Sequence, residues 1–396
     1  MLNQALRRAQ SIDDLRRIAR RRLPRAIFEF IDGGAEDEIT LSANRRDFEA
    51  ISLLPRVLVD VDAPELATMI LGRPAGAPLI ISPMGSCSLV WPDADLAIAR
   101  AAKAMNIPHT LSTMASSTIE RLAEQVGGRL WFQLYVLRDM AFNLRLLDRA
   151  RDAGYEALVI TVDLAVGGKR ERDLRNGITI PLKPSLRLAL DTLRHPRWLA
   201  HLATHGSPRY DNVRELFDAD QSGLTIAAMV GRNLDAGFDW DDLARLRDRW
   251  PNKLVIKGVQ RADDAQRLLA LGADAIWVSN HGGRQLDGAA SSISSVAAIA
   301  DALDGRAEVF VDSGVRRGMD MLRARTLGAQ AVAIGRPALF GAACGGDPGA
   351  RHALGILTDE LRRAMQLSGV ARLTDADQSL LAPQVPGWAR RRRAGD

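Results

Sequence analysis

Short apolar runs recur along this chain, each ending at a polar or glycine-rich turn and giving way to a helical pattern. They are PLIIS (78–82), HTLST (109–113), LWFQLY (130–135), ALVITVD (157–163), KLVIKG (253–258), AIWVSN (275–280), EVFVDS (308–313) and AVAIGR (331–336). Continuous apolar runs of this length suit strands covered on both faces, as in a parallel sheet. The segments between them, such as DADLAIARAAKAM (93–105) and ADDAQRLLALGA (262–273), show one apolar face at helical spacing. Eight such units in about 260 residues predict an α/β fold, a TIM (β/α)8 barrel. The competing doubly wound sheet would carry GxGxxG after an early strand. The turn PMGSCS (83–88) does not supply it.

One connection breaks the rhythm. About 90 residues separate the fourth run from the fifth, far more than a barrel connection needs. We therefore read one barrel domain over 1–380, with an N-terminal helical segment (1–60), an insertion at about 168–239 and a basic tail (381–396). Ser11 followed by IDDL has the pattern of a helix cap with acids in the first turn. Residues 168–210 hold nine Lys/Arg against three Asp/Glu. Within them, SLRLALDTLRHPRWLAHL sets Leu186, Leu190 and Leu193 on one face, with Arg187, Arg194 and Trp198 nearby. Two readings stay open: peripheral contact with an anionic membrane through about 177–215, or a lid packed on the barrel. The tail GWARRRRAGD (387–396) reads as mobile and solvated.

Composition narrows the function classes. The net charge is +5, much of it arginine that can pair with helix acids, so no nucleic-acid partner follows. Cys87 and Cys344 have no metal-ligand spacing and are too few for a disulfide framework, so no metal is expected and a reducing, cytoplasmic setting is the simplest reading. The inner face of the cell membrane is the alternative if the basic insertion meets lipid. No stretch reaches the roughly 18–20 apolar residues of a membrane span, and the N-terminus lacks the apolar centre of a secretory signal.

The chemistry sits at the strand ends, where a barrel collects its functional groups. In order these are Ser82; Ser112 and Thr113; Gln133 and Tyr135; Thr161 and Asp163; Lys257; Ser279 and His281; Asp312; then Gly335 and Arg336. DSGVRRG (312–318) and IGR (334–336) have the make-up of a phosphate site, in which glycines admit the anion to backbone amides and Arg316 or Arg336 grips it. Lys257, alone in an apolar strand, needs an anionic partner; it suits a Schiff base or the neutralisation of a bound cofactor. His281 with Asp163 suggests a general base whose imidazolium a carboxylate stabilises. Arg284 and Arg170 suit a substrate carboxylate.

SNHGGRQLD (279–287), with KG upstream and DSGVRRG and GR downstream, resembles the FMN-dependent L-2-hydroxy-acid oxidase and dehydrogenase family. The resemblance runs from about residue 12 to 370. LPRAIFEFIDGGAEDE, WFQLYVLRD and GGKRERDLRNGI are most similar to the membrane-associated bacterial lactate and mandelate dehydrogenases. It implies FMN as cofactor, a 2-hydroxy acid as substrate, a quinone or another carrier as electron acceptor, and a homotetramer. It implies His281 as base, Asp163 as its partner, Arg284 and Arg170 on the substrate carboxylate, and Tyr135 on its hydroxyl or carboxylate. Lys257 would lie by flavin N1 and O2. Ser112, Gln133, Thr161 and Ser279 would bind the ring and ribityl groups. Asp312, Gly314, Arg316, Gly335 and Arg336 would hold ribityl and phosphate, and Pro83, Met84 and Gly85 would lie against the ring. Gly85 accompanies dehydrogenases in the family, alanine oxidases.

One position departs from the family pattern: Phe30, in IFEFIDGG, stands where a tyrosine hydroxyl would meet the substrate carboxylate. The rival readings are an oxidase that reduces oxygen to hydrogen peroxide, a flavin-binding barrel without turnover, and a Schiff-base aldolase using Lys257.

Overall fold

The computed structural model describes residues 4–177, 191–206, 209–214 and 233–390. Ten strands are present: β1 (Thr68–Ile70), β2 (Arg73–Ala75), β3 (Leu79–Ile81), β4 (His109–Ser112), β5 (Leu130–Tyr135), β6 (Ala157–Thr161), β7 (Lys253–Val259), β8 (Ala275–Val278), β9 (Glu308–Val311) and β10 (Ala331–Ile334). The last eight are the eight apolar runs. They close in the order β10-β3-β4-β5-β6-β7-β8-β9, every pair parallel. The TIM barrel expected from the run pattern is the observed fold.

Strand alternation divides the core in two. Ile80, Trp131, Val159, Val255, Trp277, Phe310 and Ala333 fill the barrel, while Phe132, Leu158, Ile160 and Ile256 face the surrounding helices. Trp131 and Trp277 both pack on Phe310, with ring centroids 5.8 and 6.2 Å away. The β1–β2 hairpin seals the bottom: Ile70, Leu71 and Ala75 join the interior cluster, and Arg129 donates to the Ile70 carbonyl at 2.8 Å. The strands' C-terminal ends are left as the open mouth.

The N-terminal helices Ile12–Arg22, Arg25–Asp32 and Ile39–Glu49 reach that mouth. Ser11 caps the first through the Asp14 amide, as its sequence suggested. Arg16 holds Asp32 through two bonds of 2.6 and 2.7 Å, which fixes the second helix. The helical stretch Arg336–Ser368 breaks at Gly345–Gly346, where Gly346 has φ 60° and lies against the Trp91 indole.

Three expectations are corrected or limited. Lys257 does not end its strand: β7 runs on to Val259 past an irregularity at Gly258. A Cβ on Gly258 would lie 2.7 Å from the Asp163 backbone, so glycine lets these two chemical residues' strands approach. The tail does not leave the barrel at 381. Ala382 donates to the Ser52 carbonyl, and Ala389 is fully buried, because Leu381, Ala382, Val385 and Trp388 supply an apolar face. Residues 178–190, with Leu186, Arg187 and Leu190, residues 207–208 and 215–232, and the last six residues of the tail lie outside the described residues. The described part of the insertion has two faces: Trp198 is buried and donates to the Leu89 carbonyl at 2.7 Å, while Leu193 and Leu199 are exposed.

Candidate active site

The loop after β8 sets the centre of the mouth. His281, Gly282 and Gly283 have φ of 59°, 70° and 70°, three consecutive left-handed residues. A Cβ at 282 would meet Arg336 at 2.8 Å and one at 283 the Leu41 backbone at 2.6 Å, so both positions need glycine. His281 accepts the same backbone for the sake of its ring position. The rest of SNHGGRQLD is anchoring. Asn280 and Asn44 exchange side-chain hydrogen bonds of 2.9 and 2.7 Å. Gln285 bonds both Gly168 and Val166 of the loop after β6. Asp287 accepts from the amides of Asp37, Ile39 and Thr40, capping the Ile39–Glu49 helix.

Around this loop the expected residues converge. His281 Nδ1 lies 2.9 Å from Asp163 Oδ1. With Nδ1–H donated to the carboxylate, Nε2 keeps its lone pair. Tyr135 donates its hydroxyl to Nε2 at 3.2 Å, and the two rings stack at 6.1 Å. Burial pushes the Asp163 carboxyl up, but the charge and hydrogen bond of His281 and the charge of Lys257 outweigh it and hold it below the ordinary range. Tyr135 ends β5 in register with Thr161, and Thr161 with Lys257, so adjacent strands deliver these groups at one level.

Beneath lies a bonded cluster. Lys257, 3% exposed, donates to Ser279 Oγ at 2.7 Å and sits 3.1 Å from Asp312 Oδ2. Ser279 donates to Asp312 Oδ1 at 2.6 Å and accepts from the His281 amide. Ser313 also donates to Asp312. Lys257 thus has its anionic partner within the protein, and the Asp312 carboxylate is engaged by three neighbours. Ser112 bonds Gln133 Oε1 at 3.0 Å.

Four arginines line the same cavity, together with Phe30, Pro83, Met84, Gly85, Tyr135, Lys257, His281, Asp312, Gly314 and Gly335. Arg284 donates one nitrogen to the carbonyls of Phe30 and Gly33, at the C-terminal end of the Arg25–Asp32 helix. Arg336 is spread over the carbonyls of Ile31, Gly33 and Gly282. Its side chain is therefore held by backbone, and its amide, at the start of a helix, is the group on offer to an anion. The Arg316 guanidinium donates to the Val315 carbonyl, while its amide donates to Asp320 at 2.9 Å. Among the described residues, Arg284, Arg316 and Arg336 have no carboxylate within ion-pair distance. Arg170 stands 3.4 Å from Asp173, with its Nε lacking a hydrogen-bond partner. Burial, then Arg170, pushes Arg284 down to about 10. Burial, then Arg45, pushes Arg316 to about 10, and burial, then Arg284 and Arg316, pushes Arg336 to about 9. A wall of cations so crowded favours anionic ligands.

FMN fits these residues. Gln133 Nε2 and Thr161 Oγ1 are buried polar atoms with no partner among the described residues, at the strand ends where a flavin's polar edge would lie. Gly314 (φ 102°) presses on the Asn44 backbone, and with Arg316 and the amides around Gly335–Arg336 it offers an anion-binding turn. Gly85 is pinned behind: a Cβ there would come within 3.0 Å of the Met114 carbonyl.

Phe30 is at the site. Its ring, 8% exposed, lies beneath both substrate-side guanidiniums, 5.4 Å from Arg284 and 5.8 Å from Arg170. Sequence reasoning named Met84 but missed the rest of the cavity's apolar wall, made by Val90, Met114 and Leu164 in loops beyond the strand ends. An apolar residue just past a strand's polar end is the signal, and core residues carry the same one. It also missed Ser86 and Tyr210, which brace those loops, and Asn44, which holds the β8 loop through Asn280.

Comparison with known proteins agrees with this geometry. A family model described as FMN-dependent dehydrogenase matches residues 19–383. The (S)-mandelate dehydrogenase of Pseudomonas putida is 42% identical over 373 residues, 94% of this chain and 93% of its own. An L-lactate oxidase of a Nostoc species is 42% identical over 92% of this chain and 95% of its own. The crystal structure of a monotopic membrane protein, (S)-mandelate dehydrogenase, superposes with a TM-score of 0.89 at 39% identity, covering 95% of this chain and 99% of that one.

Proposed function

The chain belongs to the FMN-dependent dehydrogenase family, and from that premise we propose that it oxidises an L-2-hydroxy acid, lactate- or mandelate-like, to the 2-keto acid. The observation that carries this reading is His281, which lines one cavity with Arg170 and Arg284 and is held 2.9 Å from Asp163 behind it. The two arginines bind the substrate carboxylate, and Tyr135 turns its hydroxyl from His281 to the substrate. His281 Nε2 takes the proton that leaves as the substrate is oxidised, and Asp163 stabilises the imidazolium. FMN, when bound, accepts the two electrons. Lys257 supplies positive charge at the cofactor's polar edge, and Arg316 with the Gly335–Arg336 amides holds its phosphate.

The electrons pass to a quinone or another carrier. Gly85 and the membrane association of the solved mandelate dehydrogenase support a non-oxygen acceptor. Among the described residues no helix is long and apolar enough to cross a membrane. Contact with the inner face of the cell membrane through about 177–215 is therefore peripheral, and the assembly is a homotetramer. The test is anaerobic: the visible spectrum is recorded, and L-lactate and (S)-mandelate are added separately. Bleaching of a flavin spectrum by either supports the reading, and readmitted air then separates dehydrogenase from oxidase by the reoxidation rate. A flavin that neither these nor other L-2-hydroxy acids bleach, or no flavin after reconstitution, overturns it.

A further inference from the structure

The apolar wall of the cavity is built from two loops, and neither is held by the barrel alone. Ser86 and Val90 come from the loop after β3, Met114 from the loop after β4. Ser86 has φ 61°, an unusual conformation for a residue with a side chain. Two bonds hold it there. Its amide donates to the Met114 carbonyl at 3.1 Å, joining the loops. Its hydroxyl shares a 2.6 Å hydrogen bond with Tyr210, and both side chains are buried.

Tyr210 belongs to the insertion between β6 and β7, as do the two other residues that grip these loops. Trp198 donates to Leu89, next to Val90. Asn212 donates to the Ser117 carbonyl at 2.9 Å and accepts from the Ile119 amide at 3.1 Å, just beyond Met114. All three insertion residues are at most 7% exposed. Behind the wall there is therefore a second layer to which the insertion contributes Trp198, Tyr210 and Asn212.

The carboxylate end of a substrate goes to Arg170 and Arg284, so its side chain meets Val90, Met114 and Leu164. We propose that this wall selects 2-hydroxy acids with an aryl or similarly bulky apolar side chain, and that Tyr210 is the positioning residue that fixes its shape through Ser86. The proposal rests on the 2-hydroxy-acid reading. A methyl side chain is too small to depend on the wall, whereas a phenyl ring needs it at one spacing.

The experiment measures ligand affinity, without turnover. The FMN-loaded enzyme and its Tyr210→Phe variant are titrated with phenylglyoxylate and with pyruvate, and the perturbation of the flavin spectrum is followed. The variant is expected to lose about five- to tenfold in phenylglyoxylate affinity, the worth of one buried hydrogen bond, and less than twofold for pyruvate. The KM for (S)-mandelate rises in step while kcat stays within about twofold. Ser86→Ala cuts the same bond from the other side, so it repeats the discrimination if Tyr210→Phe folds poorly. The double variant is expected to be no worse than the weaker single. Equal losses for both ligands, or none for either, overturn the positioning role while leaving the 2-hydroxy-acid reading intact. A parent enzyme that binds neither keto acid and is bleached by no L-2-hydroxy acid overturns both.

Discussion

Phe30 shows how far a single side chain can shift a site. Its ring lies under Arg284 and Arg170 and brings no hydrogen-bonding group to the substrate carboxylate proposed to bind there. Phe30→Tyr is expected to lower KM about fivefold with kcat little changed, since one hydrogen bond to a charged group is worth about 1 kcal/mol or more; steady-state kinetics with the better acid checks it. His281→Asn is expected to retain FMN and lose about a hundred- to ten-thousandfold in the rate of anaerobic flavin reduction, read by stopped flow. Asp95 makes a pH prediction. Burial pushes its carboxyl up to about 7, against the stabilising bonds from Cys87 and the Ser116 amide. Between about pH 4, where the unfolded chain ionises, and pH 7, the folded protein holds a proton the unfolded one has released. Stability therefore falls as pH rises through that window. Asp95→Asn should melt with the parent at pH 4 and above it at pH 8; parallel melting curves would count against this. His281, Asp163, Arg284 and Arg316 were legible in the sequence because polar groups at apolar strand ends are conspicuous. Asp95 was not, because an acid in a helical pattern looks solvated until the fold shows its neighbours.

At the scale of elements, the β8 loop does two jobs with one motif. Its first half turns left-handed to present His281, and its second half ends in Asp287, the cap of a helix more than 200 residues earlier in the chain. Asp287→Ala should cost about 1–2 kcal/mol, the usual worth of a helix cap, seen as a lower denaturant midpoint with an unchanged slope. If activity fell and the midpoint did not, the capping role would be wrong. All eight barrel strands could be read from sequence because most are short, largely apolar runs that alternate with helical patterns; β4, HTLS, was legible mainly from its place in that rhythm. The continuation of β7 past Gly258 could not, because glycine there serves a close approach to Asp163 that only the three-dimensional fold creates. Trp198 was ambiguous for a related reason: an amphipathic aromatic in a basic segment suits lipid or a protein surface equally, and its bond to Leu89 decides for the latter.

Over the whole molecule, electrostatics and closure work together. Arg284, Arg316 and Arg336 are crowded on one wall, partly withdrawn from water, and none has a carboxylate within ion-pair distance among the described residues. The cofactor-free protein should gain more melting temperature from sulfate or phosphate than from chloride at equal ionic strength, and Arg316→Gln should abolish most of that difference while weakening FMN more than riboflavin. An equal response to all three salts would sink the anion-site assignment. The basic balance of the chain was visible in its composition, but this wall was not, because its members follow three different strands. The barrel's first and last strands, β3 and β10, are partners, and Phe30 and Arg336 line one cavity from opposite ends of the chain. On the ribosome the pocket therefore stays incomplete until residue 336 has emerged from the exit tunnel. Flavin capture cannot precede that point, and a nascent chain stalled or truncated before it, however much of its barrel has folded, is expected to remain colourless.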